Sequence, residues 1–219
     1  EMRLHRYAVK AARAFARANR IDRMVLDAPD ARFGIVTTGK SYLDVLQALE
    51  YLGLDAERCR ELGIRVYKVG MTWPLEPLGI RAFARGLRDI LVVEEKHAFI
   101  ESQMKELFYN FEGDRPSIVG KYDESGQWIL PSTGELTPAT IAGVIARRLE
   151  QFIPEGSRDT AHIRDVLRWM EQKEGELALP RAQFPRVPHY CSGCPHNTST
   201  KVPEGSRGMA GIGCHYMVR

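Results

Sequence analysis

Three short apolar runs rich in β-branched residues set the main limit on this fold: Phe33-Gly34-Ile35-Val36-Thr37-Thr38, Ile64-Arg65-Val66-Tyr67-Lys68-Val69 and Ile90-Leu91-Val92-Val93. Runs of this length read as strands, and the third has no polar position at all, as expected of a strand covered on both faces. Between them lie stretches with helical spacing. Tyr42, Val45, Leu46, Leu49 and Leu52 form one stripe, ending at Gly53. Leu78, Phe83 and Leu87 face inward in a segment from about Pro77 to Gly86. Ile100, Met104, Leu107 and Phe108 share a third face. Strand and helix alternating at this spacing predict an open, mostly parallel α/β sheet with helices on both faces.

Local signals mark the boundaries. Ser41 followed by Asp44 reads as a capping pair opening the first of these helices. Thr137-Pro138 supplies a cap and an N1 proline for a helix carrying Ile141, Ile145, Leu149 and Phe152. Residues 117–122 and 127–130 flank Asp123-Glu124-Ser125-Gly126, which predicts an antiparallel hairpin at an edge of the sheet. A later helix carries Ile163, Val166, Leu167 and Met170, and residues 175–188, with Pro180, Pro185 and Pro188, read as a linker. Ahead of the sheet, Leu4, Tyr7, Ala8, Ala11, Phe15 and Ala18 form the stripe of a surface helix. The same stretch is basic and poor in acid, as a transit peptide would be, but its regular spacing favours the helix. Ile21 to Ala31 reads as a polar connection.

The bulk composition narrows the function. The 219 residues carry a formal net charge of +3, with scattered Lys and Arg, which gives no basis for nucleic-acid binding. No apolar run is long enough for a membrane span. Of the four cysteines, three cluster near the carboxyl end, the pattern of thiols in a reducing compartment rather than of a secreted disulfide framework.

Those thiols carry the chemistry. Tyr190-Cys191-Ser192-Gly193-Cys194-Pro195-His196 is followed by Gly211-Ile212-Gly213-Cys214-His215-Tyr216. A C-x-x-C pair turns two thiolates inward on one loop, and a Gly-x-Gly lets a third arrive on backbone that passes close to its ligand. Two centres fit. Cys191, Cys194, Cys214 and His215 would complete a tetrahedral zinc site in an α/β interaction module. An iron–sulfur cluster would want a fourth thiolate. Ligand counting alone slightly favours zinc.

The α/β part offers less. Glu94, Glu95 and His97 stand at a strand's carboxyl end, where open sheets place ligands, but they read more simply as solvated or subunit-contact residues. Gly34 to Ser41 formally meets the P-loop spacing, yet the intervening residues are the strand itself. Residues 71–75 read as packing or subunit contact. Cys59, alone at a helix end, reads as structural.

The two cysteine segments resemble the 2-oxoacid:ferredoxin oxidoreductases, and indolepyruvate ferredoxin oxidoreductases in particular. The order of Gly34–Tyr42, Val69–Leu75 and Val92–Glu95 is similar to the transketolase C-terminal-like domain of that family. The resemblance implies that residues 33–153 form this domain, after an N-terminal helix and connection (1–32). A helix and linker (154–188) would follow, then the start of a thiamine diphosphate and [4Fe–4S] domain (189–219). It implies that Cys191, Cys194 and Cys214 ligate a [4Fe–4S] cluster, which reverses the zinc preference. His196, Gly213 and Cys214 would lie near thiamine diphosphate, and no catalytic residue falls in this chain. The fourth cluster ligand and the Mg²⁺–diphosphate motif are expected downstream of Arg219, because the chain stops just after a motif, as an excised piece would. The glutamate that activates the cofactor is expected upstream. The activity implied is oxidative decarboxylation of aryl 2-oxoacids such as indolepyruvate to acyl-CoA, with electrons passed through the cluster to ferredoxin or a similar acceptor. The piece alone would be inactive. A homo-oligomer in the cytoplasm, with no nucleic-acid or membrane partner, is the accompanying expectation.

Overall fold

The computed structural model describes residues 1–110, 115–178, 189–209 and 213–214. The chain divides into two units, Glu1–Lys173 and Glu174–Arg219. In the first, strands β1 (Arg23–Leu26), β2 (Phe33–Thr38), β3 (Ile64–Val69), β4 (Asp89–Val93) and β5 (Ser117–Val119) form one sheet ordered β1-β3-β2-β4-β5. The pairs β2–β3, β2–β4 and β4–β5 are parallel, and β1–β3 is antiparallel. The expected α/β class is therefore present. Strand order reverses across β2, because the chain goes first to β3 on one side and then to β4 on the other.

Alternation along the inner strands feeds two separate cores. Phe33, Ile35, Ile64, Val66, Leu91 and Val93 face one layer, which contains α2 (Gly39–Tyr51), α3 (Ala56–Leu62), α6 (Pro138–Leu149) and the start of α7 (Arg158–Ala178). Val36, Tyr67, Val69, Ile90 and Val92 face the other, beneath α4 (Pro77–Ala84) and α5 (Phe99–Tyr109). Gly34 sits where that second layer comes closest: a Cβ there would lie 2.4 Å from Leu87 and 2.6 Å from Phe83. A strand interior normally disfavours glycine, so close approach is the reason for it here.

Several local expectations hold. Thr137 caps α6 by accepting from Thr140 N at 3.2 Å, with Pro138 opening the helix. Val45 and Leu49 of α2 and Leu52 just after it are buried, as are Ile141, Ile145 and Leu149 of α6. Ile163 and Met170 of α7 are buried, with Val166 and Leu167 packed beside them.

Others are corrected. The polar connection contains β1, whose Arg23, Met24 and Leu26 pair with Lys68, Tyr67 and Val66. A short edge strand keeps one side in water and so lacks an apolar run. The antiparallel edge lies here, not at the expected hairpin: β5 runs parallel to β4, and the two hairpin arms share a single bridge, Tyr122↔Trp128. The arms still hydrogen-bond to each other, Ile129 N to Lys121 O and Asp123 N to Gln127 O, both at 2.9 Å, while Lys121 N donates to Glu101 at 2.9 Å. Ser41 does not cap α2. The helix starts two residues earlier, at Gly39, and Thr38 Oγ1 donates to Val69 O. Phe83 and Leu87 are buried as expected, but Leu78 is half exposed, and α4 buries Ile80 and Ala84 in addition. α7 extends through Ala178, into the range read as linker, and residues 179–188 lie outside the described residues.

The amino-terminal helix is where the pattern misleads most. It opens with a π-helical turn (Leu4–Ala8) and continues as α1 (Val9–Ala18). Every member of the expected stripe, from Leu4 to Ala18, is exposed. The helix docks through Ala16, with Val9, Ala12 and Arg13 half-buried, and Arg17 reaches buried Glu76 at 2.7 Å. Small residues let the backbone come close, and the larger aromatic side chains point away.

One buried ion network ties the layers together. Arg148 of α6 donates to Asp89 of β4 at 2.6 Å and to both carboxylate oxygens of Glu124 at 2.8 and 2.6 Å. Burial pushes the Asp89 carboxyl up, although Arg148 acts to lower it. The Arg148→Met variant leaves Asp89 buried without its partner and is expected to cost about 3–5 kcal/mol in chemical denaturation. A loss below about 1 kcal/mol would show that water solvates Asp89. Arg148 also holds the half-exposed Glu124 carboxyl down at about 2, against an ordinary value of 4.5. A depressed folded value gives stability that is complete above the unfolded value and lost as pH falls toward the folded one. The Tm gap between the wild-type chain and Glu124→Gln is therefore expected to be widest above pH ~5 and to close between pH ~4.5 and ~2. A gap that does not vary with pH would contradict this role for Arg148.

Candidate functional site

The cysteine segment belongs to the second unit. Cys194 N donates to Cys191 O at 3.0 Å, closing a four-residue turn with Gly193 at φ +75. Positive φ at the third position of a turn is what glycine supplies without strain. Asn197 reinforces the turn through its backbone N to Cys194 O and its side-chain amide to Cys191 O, at 3.0 and 3.1 Å. Pro195 then leads into the short helix α8 (His196–Ser199). Two thiols thus stand at the two ends of one braced turn. All three carboxyl-terminal cysteines are free; Cys191 and Cys214 are exposed and Cys194 is partly covered.

His196 lies against this turn. Its Nδ1 is 3.2 Å from Cys194 Sγ, and its ring stacks on Tyr190 with centroids 5.5 Å apart. A histidine beside a thiol can donate to the thiolate when Nδ1 carries the proton, which steadies the anion. The structure therefore brings Cys194 and His196 together, with Cys191 at the other end of the turn. Among the described residues no group of three or more His, Cys, Asp or Glu is placed to hold a metal ion. Gly213 adjoins Cys214 and is partly covered, while His215 lies outside the described residues. Two thiolates on one turn are a donor set suited to soft and borderline metals such as iron and zinc.

The carboxyl ends of the strands are used for internal bracing. Glu94 is buried and accepts from Ile100 N at 2.8 Å and from Glu101 N at 3.0 Å, so it caps α5 from the end of β4. Burial pushes its carboxyl up. Lys121, also buried, donates to the Glu94 carbonyl at 2.5 Å, and burial lowers its ammonium. Glu95 accepts from Leu136 N at 3.2 Å, and the His97 carbonyl accepts from Phe99 N. The buried contact of Lys121 N with the Glu101 carboxylate gave no sequence signal, because the two residues lie twenty positions apart. The stretch with P-loop spacing is straight strand followed directly by α2, with no loop to cradle a phosphate. In the 71–75 stretch, Gln103 donates to Thr72 O and accepts from Leu75 N, which packs it onto α5. Among the described residues no helix is long and apolar enough to cross a membrane.

A doubly wound α/β unit and a thiol-bearing segment make up the chain. Residues 22–179 match the family model described as the indolepyruvate ferredoxin oxidoreductase middle domain. The chain belongs to the indolepyruvate ferredoxin oxidoreductase family. It is similar to the indolepyruvate oxidoreductase subunit IorA of Thermococcus kodakarensis, at 29% identity over 78% of this chain and 22% of that protein. The subunit of the same name from Pyrococcus horikoshii is 27% identical over 85% of this chain and 26% of its own length. The chain thus spans about a quarter of the curated relatives it matches. A solved 2-oxoglutarate:ferredoxin oxidoreductase from Magnetococcus marinus covers 58% of this chain and 19% of its own, with a TM-score of 0.39 and 16% identity. So slight a likeness decides nothing about function.

The thiols differ in a way that chemical labelling can read. Cys59 is fully buried against Leu54 O, and burial raises its thiol to about 12. Alkylation of the native chain by iodoacetamide near neutral pH is expected to modify Cys191, Cys194 and Cys214 while sparing Cys59. Peptide mapping that finds Cys59 labelled as fast as Cys191 would contradict its placement in the core.

Proposed function

We propose that this chain is the middle domain and the first cluster-binding segment of a thiamine-dependent enzyme that oxidatively decarboxylates aryl 2-oxoacids such as indolepyruvate. The observation that carries the reading is the braced Cys191–Cys194 turn in a chain whose preceding 158 residues match the family's middle domain. Residues 33–153 are the transketolase C-terminal-like domain, 154–188 its connection, and 189–219 the start of the domain that binds cofactor and cluster. Thiamine diphosphate with Mg²⁺ supplies the electron sink for decarboxylation, and a [4Fe–4S] cluster supplies the one-electron path.

The chain's own residues then have defined tasks. Cys191 and Cys194 hold iron from one turn, Cys214 provides a third thiolate, and a fourth comes from polypeptide beyond this chain. His196, 3.2 Å from Cys194 Sγ, donates to that sulfur when protonated at Nδ1, and hydrogen bonds to ligating sulfurs raise a cluster's potential. Gly213, without a side chain, leaves room for cofactor beside Cys214. The α/β unit contributes no reacting group, so the chain alone is inactive. Coenzyme A accepts the acyl group and ferredoxin or a similar carrier the electrons, in a cytoplasmic homo-oligomer.

The test uses the longer polypeptide that carries this chain, isolated without oxygen. Iron and acid-labile sulfide are expected in cluster stoichiometry, with a broad brown visible absorbance that is lost in Cys194→Ser. Stoichiometric zinc without colour would overturn the reading.

A further inference from the structure

We propose that the outward face of the amino-terminal helix is a docking surface for another domain of the longer polypeptide that carries this chain, at an apolar patch bordered on one side by carboxylates. The proposal rests on reading the chain as part of such a polypeptide, and on no cluster or cofactor. An amphipathic helix lays its apolar stripe against whatever it packs on. Here Tyr7, Ala11, Phe15 and Ala18 share one stripe, and all four face solvent, with Tyr7 62% and Phe15 61% exposed. Ala16 is the only buried residue of α1. The inner side is incompletely filled: a crevice of about 280 Å³ lies there, lined by His5, Val9 and Arg13 of the helix and by Trp73, Pro74 and Leu107 of the body. The body thus takes the alanine side of the helix, and the aromatic side is left for a partner.

Charge gives the partner's character. Six of the chain's 31 Lys and Arg fall in residues 1–20, but only one of its 28 Asp and Glu, namely Glu1. Spacings of three and four residues place Arg6, Lys10, Arg13 and Arg17 in one row along a single border of the stripe. Arg13 is half-buried beside the crevice, and Arg17 is committed to Glu76. Arg6 and Lys10 are exposed, and among the described residues no ion pair joins either to a carboxylate. The opposite border, Ala8, Ala12 and Asn19, carries no charge. A surface that covers the stripe therefore meets uncompensated cations along one edge only, and carboxylates at that edge complement them.

The source of that surface follows from where the helix stands. The middle-domain match begins at residue 22, so the helix lies outside it. The chain spans about a quarter of the curated relatives it matches, which leaves ample polypeptide to supply a neighbouring domain. A helix joined to one domain and apolar on its far side suits the border between two domains of one chain. A second copy meeting stripe to stripe would bring the same cations and no row of carboxylates, so it answers the charge less well.

Hydroxyl-radical footprinting with peptide mapping, on the 219-residue chain and on the longer polypeptide, tests the assignment. In the longer polypeptide Tyr7 and Phe15 are expected to oxidise about tenfold more slowly than in the chain, because interface cores pack as densely as protein interiors. Arg6→Glu combined with Lys10→Glu, both at exposed positions, should remove most of that protection. The wild-type comparison remains decisive should the double variant fail to fold. Equal oxidation of Tyr7 and Phe15 in the two proteins would overturn the proposal, as would protection that the double variant keeps. So would protection that appears in the 219-residue chain as its concentration rises, which would make the occupant a second copy. Protection gained only on adding phosphatidylglycerol vesicles would also overturn it, in favour of a membrane surface. A colourless zinc centre in the longer polypeptide would overturn the proposed function and leave this result standing.

Discussion

The first unit depends on one constraint: its central strands have no face that water can touch. Phe33, Ile35 and Val36 of β2, and Ile90 to Val93 of β4, are all fully buried. A strand in that position must be covered above and below, and short parallel crossovers place a helix on one face or the other. From this follow the reversal of order at β2, the α2–α6 layer on one side and the α4–α5 layer on the other. The tightest spot, at Gly34, admits no side chain because Leu87 and Phe83 already fill the space.

The same burial explains the charged groups inside. Asp89, Glu94, Glu101, Lys121 and Arg148 are all at most 8% exposed, and each has partners across layers or at a helix end. Gly120 makes part of this possible, since a Cβ there would lie 2.3 Å from Glu101 Oε2. Buried ionic groups contribute little net stability when paired and cost heavily when a partner is removed. Here they fix register, holding β5 to α5 and α6 to β4. Perturbed carboxyls at the carboxyl end of a sheet usually invite a catalytic reading. Glu94 instead spends both oxygens on the backbone of α5.

How far the sequence could be read tracks how local each signal is. The inner strands, α6 with its Thr137 cap, and the stripe of α7 follow from runs and spacings within a few residues. Edge features were missed because their determinants lie elsewhere in the chain. β1 exists because β3 offers it a ladder, and the arms around Asp123 pair only with each other, outside the sheet. The α1 stripe failed for a different reason: hydrophobic weight favoured Leu4, Tyr7 and Phe15, whereas close docking selected the small Ala12 and Ala16. At the thiols, the sequence carried the C-x-x-C turn fully and the Cys194–His196 contact implicitly. The spacing does not decide whether Cys214 joins the other two, because the intervening residues carry no periodic pattern.

The α/β unit is thus internally braced, and the proposed function rests on the thiols of the carboxyl-terminal segment. The most direct measurement is electron paramagnetic resonance of the dithionite-reduced parent polypeptide, comparing wild type with Cys191→Ser. The account predicts a low-temperature iron–sulfur signal that loses one cluster's intensity in the variant. A reduced spectrum that the variant leaves unchanged would contradict it.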